Sequence, residues 1–264
     1  MEAAIPMDLI DESDGFKQNA DLIEEDLTPP EGIDLSLPTE PEEPFSFLAV
    51  VPRTTGKLFF TTPNGDCVCS ASAVNNPNKN LVSTAAHCVH GGGSSEQWFT
   101  NICFVPAYFE GKAPFGMWYS DYQITFKGWT QNRNYDYDQA LFTVLPREGR
   151  NLVDVVGGNG LSYNFNQAQQ NVRITGYPAQ SPYTGELPYS CYGDTFKRAF
   201  NNDAYMNCDM TGGASGGAWF RTMASENVGQ IFAVTSRRST TGQPRLFARP
   251  FTSDLRNLYD TVSN

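Results

Sequence analysis

Met210-Thr211-Gly212-Gly213-Ala214-Ser215-Gly216-Gly217-Ala218 sets one serine among four glycines. A serine hydroxyl attacks a carbonyl only when a base takes its proton and donors receive the oxyanion. Glycines on both sides let the backbone turn tightly, so that a substrate carbonyl can reach the N–H groups of Gly213 and Ser215. The base, and a carboxylate to orient it, must come from elsewhere in the chain. There are two histidines. His87 closes the small-residue run Ser83-Thr84-Ala85-Ala86-His87-Cys88 and is the candidate base. His90, beside Gly91-Gly92-Gly93, is expected to be an exposed loop residue without a role. The carboxylate comes from Asp136-Tyr137-Asp138-Gln139-Ala140-Leu141-Phe142. Asp138 heads its apolar run, where a buried carboxylate can accept the imidazole Nδ1–H, and Asp136 is expected to be solvated.

The elements that must position these residues read as short strands. Lys57–Thr62, Cys67–Val74, Leu81–Ala85, Cys103–Tyr108, Trp118–Phe126 and Ala140–Leu145 are separated by Asn, Gly and Pro turns. Val172–Gly176, Ala218–Thr222, Gln230–Ser236 and Arg245–Ala248 form a second set, and many short strands argue for a sandwich or barrel. Within Thr252–Val262, Leu255, Leu258, Tyr259 and Val262 recur at helical spacing and predict a surface helix. Hydrophobic content is 40% and charged content 18%, with 23 Gly and 17 Pro, which suits a turn-rich β protein. No run approaches the ~18 apolar residues of a membrane span.

The net charge of −11 is unevenly placed. Residues 1–45 hold 14 acids against Lys17, while the remainder carries 15 acids and 17 bases, so the body is close to neutral and offers nucleic acid no electrostatic footprint. The acidic, proline-rich stretch cannot build a core, although Leu22 and Ile23 give Ala20–Glu25 a small apolar face for a short helix. It carries no basic start and no apolar h-region, and reads as a pro-segment rather than a secretory signal, the alternative being a disordered acidic tail with no regulatory role. All six cysteines lie outside it. Their spacing fits no zinc motif, and their even number suggests disulfides and an oxidising compartment, with the pairing left open.

The order His87, Asp138, Ser215, with the strings Thr84-Ala85-Ala86-His87-Cys88 and Gly213-Ala214-Ser215-Gly216-Gly217, resembles the chymotrypsin-like serine proteases. It is closer to their secreted bacterial and fungal branch, which includes the glutamyl endopeptidases. The resemblance runs from about Gly56 to the C-terminus. It implies an all-β fold of two six-stranded antiparallel β-barrels with a C-terminal helix. Residues 54–155 would form the first barrel, carrying His87 and Asp138, and residues 156–264 the second, carrying Ser215. Residues 1–53 would be removed at Arg53. The implied activity is a secreted, extracellular, monomeric serine endopeptidase acting on protein or peptide substrates through an acyl-enzyme. No metal, cofactor, nucleic acid or membrane is required. The implied disulfides are Cys69–Cys88 and Cys191–Cys208, and with them Cys67–Cys103.

The sequence departs from the digestive enzymes of the family at Ala214, where they have an aspartate that captures a freed N-terminus. Removal of 1–53 would instead unblock the cleft or let the new terminus order a loop. Asp209, six residues before Ser215, stands where trypsin-like enzymes keep the carboxylate that reads Arg or Lys, and implies cleavage after those residues. The alternative is acidic specificity. Relatives that read acids use a histidine near Thr235, which this chain lacks, so Arg237 and Arg238 after Ser236 would have to serve. A binding module on the same fold is the other reading. An esterase built on Gly-x-Ser-x-Gly is excluded, because both histidines precede the serine.

Overall fold

The computed structural model describes residues 4–9, 32–42, 52–94, 96–239 and 241–263. The helix expected at Ala20–Glu25 lies outside them. Two short strands belong to the acidic segment, β1 (Ile5–Pro6) and β2 (Ile33–Asp34). The first barrel follows with β3 (Thr55–Thr62), β4 (Gly65–Val74), β5 (Leu81–Thr84), β6 (Thr100–Pro106), β7 (Trp118–Thr125) and β8 (Ala140–Val144). Their order is β4-β3-β6-β7-β8-β5, and pairing of β4 with β5 closes the ring. Alternation along β4 sends Cys67, Cys69, Ala71 and Ala73 into the barrel with Leu58, Phe60, Phe104 and Phe142, while Phe59, Val68 and Cys103 face an outer cluster.

This alternation corrects one expected disulfide. Cys69–Cys88 and Cys191–Cys208 are bonded, but Cys67 and Cys103 are free and buried. Cys67 pairs with Phe60 and Cys103 with Phe59, so β3 lies between them and their side chains leave the sheet on opposite faces. Two strand spacings of ~4.8 Å exceed the Cα separation that a disulfide can span. Burial raises the Cys67 thiol and pushes that of Cys103 up to about 11.

Helices α1 (Lys127–Asn132) and α2 (Leu152–Val156) flank β8 in the chain. The second unit places β9 (Gly160–Tyr163), β10 (Val172–Gly176), β11 (Tyr189–Gly193), β14 (Ala218–Met223) and β15 (Gly229–Val234) in one sheet, ordered β11-β10-β14-β15-β9. Strands β12 (Phe196–Lys197), β13 (Ala204–Asn207), β16 (Arg237–Ser239) and β17 (Arg245–Ala248) form the other, ordered β12-β13-β17-β16. Val172, Ile174, Met206, Trp219, Phe232 and Leu246 fill the space they enclose. The all-β architecture is thus the expected two-barrel one. Helix α3 (Asp254–Ser263) lays Leu255, Leu258, Tyr259 and Val262 on Val74, Leu81, Leu141 and Leu161, joining the two units. The acidic segment joins both as well. β1 runs parallel to β4, and β2 extends the second unit's sheet beside β9.

Candidate active site

His87 sits in a single 3-10 turn, Ala86–Cys88, fastened to β4 through Cys88–Cys69. Asp138 ends a second such turn, Tyr135–Tyr137, which Asn134 caps by accepting the Asp136 N–H at 3.0 Å. The two turns bring the pair together. The His87 backbone N–H donates to Asp138 Oδ1 at 2.9 Å, and Nδ1 meets Oδ2 at 2.8 Å. The Ser236 hydroxyl donates to Oδ2 at 2.6 Å. Burial would raise the Asp138 carboxyl, but the His87 charge and these three hydrogen bonds overcome it and hold it below its ordinary value. An ionised carboxylate only accepts, so Nδ1 is the donor of that contact, and in a neutral ring Nε2 would be the acceptor. That Nε2 is buried and has no hydrogen-bond partner among the described residues.

Ser215 rides a turn that only glycine allows. Gly213 and Gly216 have φ of +96° and +79°. A Cβ on Gly216 would strike Ser70 O and Thr84 Oγ1 and come within 3.0 Å of Ala85 N, so Ser215 is held against the strand leading to His87. The binding comes from Ser70 on β4, a residue that no motif in the sequence singles out. Its N–H donates to Ser215 O at 2.7 Å and its hydroxyl to Gly213 O at 2.8 Å, while it accepts from Tyr177 N at 2.7 Å. The only signal was a small polar residue inside an apolar alternation.

The other expected binding residues differ in placement. Asp209 is exposed, close to the Cys191–Cys208 disulfide, and it joins burial in pushing the Tyr183 hydroxyl up to about 12 through a hydrogen bond. The Thr235 hydroxyl accepts from Trp219 Nε1 at 2.9 Å. Arg237 is buried, ion-paired with Asp203 and lying 4.6 Å over the Tyr135 ring. His90 is buried rather than exposed, since Trp98 meets its ring edge-on and its Nδ1 accepts from Gly92 N–H at 3.0 Å. Asp136 is half-exposed, 3.9 Å from Arg249.

Residues 4–9 cross this site. Met7 N–H donates to Val68 O at 3.0 Å, and Met7 O accepts from Gly213 N–H at 2.9 Å and from the Ser215 hydroxyl at 3.3 Å. Two residues on, Leu9 O accepts from Arg238 N–H at 3.0 Å. Between them the Asp8 carboxylate takes Arg238 Nε at 2.9 and 3.0 Å and Nη2 at 2.7 Å. A carbonyl of the chain itself therefore lies on the Gly213 donor, and the serine hydroxyl is turned towards it.

No family model and no curated protein sequence matches the chain. Solved structures do. Protease Anisep from Arthrobacter nicotinovorans is 32% identical, with 86% of this chain covering 99% of that one at a TM-score of 0.74. The thermostable serine protease AL20 from an extremophilic microorganism is 30% identical, with 80% of this chain covering 97% of that one at 0.75. A Glu endopeptidase in complex with MPD shares the fold at 19% identity and a TM-score of 0.64, over 85% of this chain and 97% of that one.

Proposed function

The chain belongs to the serine proteases of chymotrypsin fold, hydrolases of peptide bonds, and from that premise we propose that it is a secreted endopeptidase, latent as described, working through Ser215, His87 and Asp138. The observation that carries the reading is the Met7 carbonyl on Gly213 N–H and Ser215 Oγ, on a turn held against the strand that leads to the His87 ring oriented by Asp138. A substrate carbonyl in that place would be attacked by Ser215 Oγ, its proton passing to His87 Nε2. Asp138 stabilises the imidazolium, and the Gly213 and Ser215 N–H groups receive the oxyanion, one such donor being worth roughly 3 kcal/mol. The same proton then goes to the leaving amine. Water, deprotonated by His87, releases the acyl group. No cofactor enters.

Latency follows from occupancy. While Met7 O holds the Gly213 donor, no substrate carbonyl can take it. Residues 1–53 act as the pro-segment, 54–155 as the first barrel and 156–264 as the second. Arg53 is half-buried, with its N–H 3.4 Å from Asn227 Oδ1, so a cut after it requires that corner to open. The disulfides support an extracellular setting. Of the two specificities, cleavage after Arg or Lys has the weaker support, because Asp209 is bonded to Tyr183 whereas Arg238 faces the residues over Ser215. The test is hydrolysis of a mixed peptide library by the folded chain before and after limited trypsin treatment, with Ser215→Ala alongside. Cleavage that rises on trypsin treatment and vanishes in Ser215→Ala is expected. Absence of Ser215-dependent cleavage in both states would leave a binding module.

A further inference from the structure

Asp8 is the one side chain of the docked segment that forms an ion pair among the described residues, and its partner stands apart from the triad. Arg238 has a second partner on the enzyme body. Arg238 Nη2 also donates to Gln180 Oε1 at 2.9 Å. Gln180 is itself fixed to the turn that precedes Ser215, through its N–H to Thr211 Oγ1 at 3.1 Å and the Thr211 hydroxyl to Gln180 O at 3.0 Å. The guanidinium is therefore aimed by the enzyme body, and the edge turned to Asp8 is a fork shaped for a carboxylate. Space for the carboxylate comes from Gly212, where a Cβ would lie 2.9 Å from Asp8 Cβ and 2.7 Å from Gln180 Nε2. The Arg238 and Asp8 side chains are only 18% and 13% exposed, so their attraction is less screened than that of a surface pair. The neighbouring arginine cannot do the same work, being committed to Asp203.

We propose that Arg238, aimed by Gln180, is the specificity residue of this protease and reads an acidic side chain adjoining the scissile bond, with Asp8 standing in for that side chain in the latent chain. The inference rests on the protease reading above. Carboxylate and carbonyl are read together, Asp8 on Arg238 and the preceding Met7 O on Gly213, as one ligand spanning the recognition and reaction points. Once the segment leaves, the fork and the Gly213 donor are vacated together and a peptide carrying Asp or Glu fits both.

The experiment is peptide-library cleavage by the full chain carrying Asp8→Ala, which loosens the segment, compared with the same chain also carrying Arg238→Gln or Arg238→Lys. Folding is checked by the thermal midpoint, and Lys keeps the charge should Gln disturb β16. Cuts next to Asp or Glu are expected. The acidic-to-neutral ratio of kcat/KM should fall at least ~10-fold with Gln, as for loss of a bidentate charge-assisted pair, and less with Lys. Ser215-dependent cleavage without acidic preference, or a preference that Arg238→Gln leaves alone, would overturn the assignment and leave the protease standing. No Ser215-dependent cleavage by any form would overturn both.

Discussion

Replacing Asp8 by Ala in the full chain should unmask Ser215 without removing a single residue of the segment. The ion pair comprises three N–H···O contacts of 2.7–3.0 Å between side chains that are mostly buried. Hydrogen bonds to charged groups contribute roughly 1.5–3 kcal/mol each in net terms, but one guanidinium and one carboxylate do not deliver three independent bonds. Water also resolvates both groups when the segment lifts, so about 2 kcal/mol is the reasonable net loss. The backbone bonds of Met7 and Leu9 survive the substitution, so the segment still docks but stands open roughly 30-fold more often, at about 1.4 kcal/mol per decade. A phosphonyl fluoride reads that population directly. Ser215 Oγ bonds to phosphorus, fluoride leaves, and the hydroxyl proton passes to His87. With opening faster than reaction, the labelling rate follows the open fraction, so Asp8→Ala should label about 30 times faster than the parent chain by the same arithmetic. Ser215→Ala should not label at all. Equal rates within a factor of two would refute the reasoning, as would a parent chain that labels as fast as its trypsin-treated form.

Several simpler experiments bear on the same frame. Asp138→Asn should leave the fold standing and lower kcat of the unmasked enzyme by about 10⁴, since the wrong imidazole tautomer would be held, a loss read by burst titration. Because the folded Asp138 carboxyl lies below its ordinary value of about 3.9, the unfolded state binds the extra proton; this stabilisation is present above that value and is lost as pH falls through the lowered one. Thermal midpoints of Asp138→Asn should accordingly fall less steeply in acid than those of the parent chain. Thiol titration of the unreduced, denatured chain should return Cys67 and Cys103 as two free thiols, and a count of zero would contradict their opposite-face placement. Gly216→Ala should abolish activity and cost several kcal/mol by chemical denaturation, as its Cβ meets backbone atoms at a φ of +79°.

The catalytic strings were legible because their chemistry constrains their letters. A turn with φ of +96° and +79° needs Gly213 and Gly216, and Ala85 and Ala86, next to the candidate base His87 in the chain, are fully buried where only small residues fit. The apolar strands announced themselves by alternation. Strands β11 and β16 did not, since Tyr189-Ser190-Cys191-Tyr192-Gly193 and Arg237-Arg238-Ser239 owe their extended form to pairing with β10 and β17 rather than to their own pattern. The Cys67–Cys103 expectation failed for a related reason. Spacing tells which face a residue takes within one strand, but not that β3 will lie between two cysteines. Least legible was the docking of Ile5-Pro6-Met7-Asp8-Leu9, a stretch without periodicity whose ionic partner lies 230 residues away. Only the surplus of acid in residues 1–45 against a near-neutral body hinted at a charged match.

The unpartnered Nε2 of His87 says how latency and activity are coupled in the proposed mechanism. The Ser215 hydroxyl has one proton to donate, and in the docked state it goes to Met7 O. Nε2 has no hydrogen-bond partner among the described residues, and a buried acceptor left without one costs roughly 1–3 kcal/mol. Docking must outweigh that cost, and lifting the segment regains it when the hydroxyl turns to His87. In that mechanism, departure of the segment frees the Ser215 hydroxyl proton for His87. It also explains how the segment can lie on the nucleophile uncut. A hydroxyl that donates to the carbonyl oxygen is not offering its own proton to the base, so Oγ remains a neutral alcohol facing Met7 rather than an activated nucleophile.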